Sequence, residues 1–204
     1  MPMDATKAKL LADMCVLYWE YDTKPDFTDE NLADNSPEKL VLGVYESLKQ
    51  EVLQSYPWRS AIKYTTLTTS VPNPIPDKKY GRSVAVPTDF LKEDGFWYDE
   101  TRHMAITQGI EVVGKTVRTN LESFTMGYIS KDTLESNMDT WLISYLQVYI
   151  AAKAADIGGL SADRKNLLLQ QADNDFWNYS NTDWKMAHKD NDSLNDSINQ
   201  FVIS

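Results

Sequence analysis

Two histidines, His103 and His188, and one cysteine, Cys15, are all that the chain offers for imidazole or thiolate chemistry. A Ser-His-Asp or Cys-His group needs one of those histidines, and neither lies in a nucleophile-elbow pattern such as Gly-x-Ser-x-Gly. Neither has a second His, Cys or carboxylate at ligand spacing, so no metal site is expected. The eight glycines fall mostly at turns, and no Gly-x-Gly-x-x-Gly or phosphate loop is present. Carboxylates are the exception, because thirty acidic residues make coincidental pairs plentiful. Glycoside hydrolysis needs two of them, one held protonated by an apolar pocket. Glu20 and Asp29 are one such pair, but no apolar pocket around Glu20 is legible. The chain therefore reads as a non-enzyme with no cofactor.

Charge points the same way. A net charge of −10 repels phosphate at long range and argues against sequence-reading of duplex DNA. Such acidity is compatible with a wall past which DNA must slide, since each neutralised phosphate would tighten binding, but composition alone favours simple solubility. Hydrophobic residues make up 42% of the chain, with six Trp and eleven Tyr, enough for a core and for subunit interfaces. A single cysteine permits no intramolecular disulfide. Cys15 falls on the apolar face of a predicted helix, as a small buried hydrophobe. No run of roughly 18 uncharged apolar residues occurs, so no membrane span is expected. The first 21 residues carry too many charges for a signal peptide.

The elements follow from periodicity. A first helix is predicted over Asp4 to Tyr21, with Leu10, Met14, Leu17, Tyr18 and Tyr21 as its stripe. An acidic loop leads to Ser36-Pro37, a cap and first-turn proline that start a second helix. Val41, Val44, Tyr45, Leu48 and Val52 form its inward stripe, and it ends before Tyr56-Pro57. Short β-rich runs then alternate with turn signals from Trp58 to Ser130. Asp132-Thr133-Leu134-Glu135 reads as the capping box of a third helix, with Leu134, Met138, Trp141, Leu142, Tyr145 and Tyr149 on one face. Gly158-Gly159 closes it, and Ser161 caps a fourth helix carrying Leu168, Ala172, Phe176 and Tyr179.

The expected fold class is α+β: an antiparallel bundle of about four helices, an inserted small antiparallel β-domain and an extended C-terminal tail. Residues 1–57 and 131–187 are its helical halves, 58–130 its insert and 188–204 its tail. Tail composition is that of a disordered tether. It nevertheless ends in an apolar cluster, Leu194, Ile198, Phe201, Val202 and Ile203. The first four keep helical spacing, as in a segment that orders against a partner groove.

Two stretches carry a family resemblance: Tyr56-Pro57-Trp58-Arg59-Ser60-Ala61-Ile62-Lys63, and Val84-Ala85-Val86-Pro87-Thr88-Asp89-Phe90-Leu91. With the order of elements, they resemble the tail adaptors of short-tailed bacteriophages, the tail tubular protein A or head-to-tail connector family. There, a helix ends in a Pro-Trp-x-x-Ala turn and a later strand ends in Leu-Pro-x-Asp. Here Val86 stands in place of the leucine, and a longer Pro-rich insertion precedes Tyr80. The resemblance spans roughly Ala5 to Lys185. It implies structural roles for Pro57, Trp58, Ala61, Pro87 and Asp89, and a ring, usually twelve-fold, in the virion neck, assembled in the host cytoplasm. Its partners would be the portal protein, the tail nozzle and copies of itself. Genomic DNA would pass through the channel unread, and the C-terminal cluster would bind the portal. The alternatives are a virion-associated peptidoglycan hydrolase and another neck or tail component such as a terminator. Glu20 and Asp29 are spaced as in phage lysozymes, but the threonine expected after them is missing.

Overall fold

The computed structural model describes residues 5–28, 32–69, 71–72, 79–102 and 104–202, with side chains at 71–72 and beyond Lys185 excepted. The chain divides into two compact units, Met1–Ser60 with Leu134–Ser204, and Ala61–Thr133.

The first unit holds α1 (Ala5–Tyr18), α2 (Pro37–Ser55), α3 (Thr140–Lys153) and α4 (Ala162–Val202). Helix α3 is apolar nearly all round. Leu142, Leu146, Val148, Ile150, Ala151 and Ala152 are all fully buried, which marks a helix enclosed by neighbours. Helices α1, α2 and α4 pack chiefly on it. Gln147 Nε2 donates to the Leu10 carbonyl at 3.0 Å, joining α3 to α1 where a buried amide needs a partner.

Helix α1 stops at Tyr18, short of the predicted Tyr21, because Glu20 adopts a left-handed φ of 60°. The amides of Trp19 and Tyr21 both donate to the Cys15 carbonyl. This turn sends Trp19 inward, where Nε1 donates to the Ala151 carbonyl at 3.2 Å. Its ring lies over Gly158, where a Cβ would stand 2.5 Å from Trp19 Cδ2. Gly158 is thus required by close approach. In α2, Ser36 Oγ accepts from the Lys39 amide at 3.2 Å and Pro37 occupies the first turn, as their spacing predicts.

Among the described residues, the second unit contains seven antiparallel strands in two sheets. Strands β1 (Ile62–Thr68), β7 (Ser123–Ser130) and β4 (Phe90–Trp97) form one, in the order β1-β7-β4. Strands β2 (Val71–Pro72), β3 (Arg82–Ala85), β6 (Thr116–Thr119) and β5 (Ile110–Val113) form the other, in the order β2-β3-β6-β5. The sheets share one apolar core built on Val117, Phe124, Met126 and Tyr128. Strand β7 is buried on both faces. On its far face, Trp97 lies against Gly95 and Gly127, at both of which a Cβ would stand 2.8 Å from the indole.

The expected architecture is corrected on four points. Mixed α+β describes the chain, but the helices gather on α3 and do not form an antiparallel four-helix bundle. The strands form two sheets where one small β-domain was expected. Strand β6, absent from the expected β-rich runs, follows directly on the Gly114 turn and pairs with both β5 and β3. The third helix begins at Thr140, eight residues after Asp132, where the capping signature placed its start. Glu135 is 2% exposed and bound to α2 side chains, so it is not available to cap, and Leu134 is 53% exposed. Finally, the extended tail is replaced by helix, because α4 continues without a break to Val202.

Candidate functional site

The motif residues divide between the two units. In the helical unit, Trp58 is fully buried. Its ring packs on Tyr56, Tyr145 and Phe176 at centroid distances of 4.9, 5.8 and 6.2 Å. Its Nε1 donates to the Val52 carbonyl at 2.9 Å, so Trp58 seals the end of α2 against α3 and α4. Pro57 ends α2 ahead of it, and Ala61, 1% exposed, is the first residue of the strand unit, just before β1.

In the strand unit, Pro87 closes the turn after β3, and its carbonyl accepts from the Phe90 amide at 3.1 Å. Asp89 gathers three side chains: Lys63 Nζ at 2.7 Å, Ser130 Oγ at 2.7 Å and Tyr128 OH at 3.0 Å donate to it. Its backbone carbonyl accepts from the Lys131 amide at 2.9 Å. Partial burial raises the carboxyl pKa, but those donors outweigh it and hold the group at about 2. Asp89 therefore ties β1 and β7 to the start of β4. This is a staple, not a catalytic acid.

The remaining sequence candidates are dispersed. Leu194, Ile198, Phe201 and Val202 lie on α4, with side chains outside those described, and Ile203 lies outside the described residues. The same holds for His103 and Asp29, and for the side chain of His188. Glu20 is paired with Arg164 at 3.2 Å. Cys15 is fully buried, and burial, then the charge of Glu38, pushes its thiol up to about 12. Among the described residues, no group of three metal-ligating side chains gathers. No described helix is long and apolar enough to cross a membrane.

Three features were not found by sequence reasoning. One is a buried cluster in which Lys49 Nζ at 2.8 Å and Tyr45 OH at 2.6 Å both donate to Glu135 Oε1. Burial opposes the Glu135 charge, but these donors prevail and its pKa is lowered. The cluster locks the Glu135–Asn137 turn onto α2.

The second is exposed apolar surface. On α4, Leu167, Trp177 and Trp184 are 56%, 65% and 55% exposed. Trp177 and Trp184 are two helical turns apart, on one face. The signal was visible as a seven-residue tryptophan spacing, which also fits a core stripe.

The third is a polar pocket of about 390 Å³, lined by Arg59, Ser60, Asn137, Asp139, Trp141 and Asp183. Asp183 is 2% exposed, on the α4 face turned inward. Its Oδ2 accepts from the Arg59 amide at a long 3.4 Å, while Oδ1 has no hydrogen-bond partner among the described residues. Ser60 Oγ and Trp141 Nε1, also buried, are likewise unpartnered. Burial raises the Asp183 pKa and Asp139 adds to it, against the Arg59 amide and guanidinium.

No protein-family model matches the chain, and no curated protein matches it.

Proposed function

We propose that the chain is a structural head-to-tail adaptor of a phage virion. It would form a ring, dodecameric in the family it resembles, between portal and tail nozzle, through which the genome passes at ejection. The observation that carries this reading is the exposed tryptophan face of α4. Trp177 and Trp184 are more than half exposed on one side of a helix, and tryptophan concentrates at the centres of protein interfaces. A solvated face gains nothing from two indoles, whereas a neighbouring protein does.

Three further observations support the reading. Helix α4 runs to Val202, and in the sequence Leu194, Ile198, Phe201 and Val202 keep the helical spacing of a segment that would meet the portal. The motif residues Trp58 and Asp89 serve as structural fasteners, the role a scaffold requires. A net charge of −10 suits a channel that must not grip DNA.

The test is capture by the portal protein encoded in the same genome. Trp177→Ser with Trp184→Ser leaves the chain folded, as circular dichroism checks, since both side chains are more than half exposed. The double variant loses at least about tenfold in ring capture on the portal, and so does a chain ending at Asn191. Undiminished capture of both variants contradicts the proposal.

A further inference from the structure

The pocket at the start of α3 takes no part in the contacts just proposed, yet its chemistry is selective. Two carboxylates, Asp139 and Asp183, face one guanidinium, that of Arg59. The charges differ in setting. Arg59 is exposed, so water screens it, whereas Asp183 is 2% exposed and presents an unpartnered oxygen. A simple anion is repelled by both carboxylates. A neutral polyol supplies hydrogen bonds but no counter-charge to the buried acid, which is the costliest group to leave unpaired. A cation answers Asp183.

We infer that the pocket is a socket for an arginine side chain presented by a different protein. The guanidinium donates to Asp183 Oδ1 and to Asp139 in the planar fork geometry that suits carboxylates. Its flat face stacks on the Trp141 indole, which lines the same pocket. The peptide carbonyl flanking the arginine accepts from Trp141 Nε1, and Ser60 Oγ accepts a remaining guanidinium proton. Each unpartnered atom then has a counterpart of the right sign. A net charge of −10 draws a basic partner at long range.

A second copy of the chain is a poor source. The sequence has five arginines, Arg59, Arg82, Arg102, Arg118 and Arg164. Arg59 already lines the pocket, Arg82 pairs with Glu122 and Arg164 with Glu20. Arg102 stacks on Tyr64 at 4.0 Å, and Arg118 has an interaction of its own. The arginine is therefore supplied by another protein. This adds a contact to the adaptor reading but is measured on the isolated chain, so either can fail alone.

The probe is N-acetylarginine amide, titrated into the full chain while the Trp141 indole N–H resonance is followed. That signal is assigned with Trp141→Phe. The shift saturates with N-acetylarginine amide. It is at least about tenfold weaker with the uncharged isostere N-acetylcitrulline amide, and falls similarly in Asp183→Asn. Asp139→Asn, at an N-cap position whose side chain makes no capping hydrogen bond, provides the same reading if Asp183→Asn does not fold. Equal response to citrulline, a response to glucose or acetate in place of arginine, or unchanged binding by the aspartate variants overturns the inference.

Discussion

Removing the charge of Asp89 should weaken the strand unit in a way that depends on pH. The carboxyl lies at about 2 against an ordinary 3.8. At about 1.4 kcal/mol per pH unit, that displacement bounds its contribution near 2.5 kcal/mol. Lys63 is 49% exposed along its side chain, so screening reduces its share. About 1.5 kcal/mol remains for Asp89→Asn at pH 7. The folded pKa is depressed, so this stability is complete above about pH 4 and is lost as pH falls towards 2. Urea unfolding of wild type and Asp89→Asn, followed on backbone resonances of β1 and β7, measures the difference. The two should differ at pH 7 and converge at pH 2. A difference that is absent at pH 7, or the same at both pH values, refutes the staple.

Two further predictions concern the helical unit. Lys49→Met leaves Glu135 buried without its cation and costs about 3–5 kcal/mol, while Lys49→Met with Glu135→Gln recovers part of the loss; urea midpoints decide. Cys15, with its thiol at about 12, should resist a thiol reagent at pH 8 in the folded chain and react once urea unfolds it. Rapid labelling of folded protein contradicts that burial.

Local signals in the sequence were read well where one residue type has one physical use. Ser36-Pro37 started α2 because a hydroxyl cap and a missing amide donor act within a single turn. Trp58 lies in the core as its bulk demands. The Asp132-to-Glu135 capping signature failed because Glu135 has a long-range alternative, Lys49 and Tyr45 on α2, which no local pattern contains. The tail misled for the opposite reason. Its Asp, Asn and Ser content suggests a tether, yet the backbone continues the helix to Val202. The pocket was out of reach altogether. Arg59 and Asp183 are joined by an amide-to-carboxylate bond spanning 124 residues, a pairing created only when α4 packs beside the turn that follows α2.

The most direct test of the adaptor reading is electron microscopy of the purified chain mixed with the portal protein of the same genome. The account predicts an added ring on the portal, with α4 and its two exposed tryptophans at protein contacts. Portal particles unchanged by excess chain, or chain bound with Trp177 and Trp184 facing solvent, would contradict it.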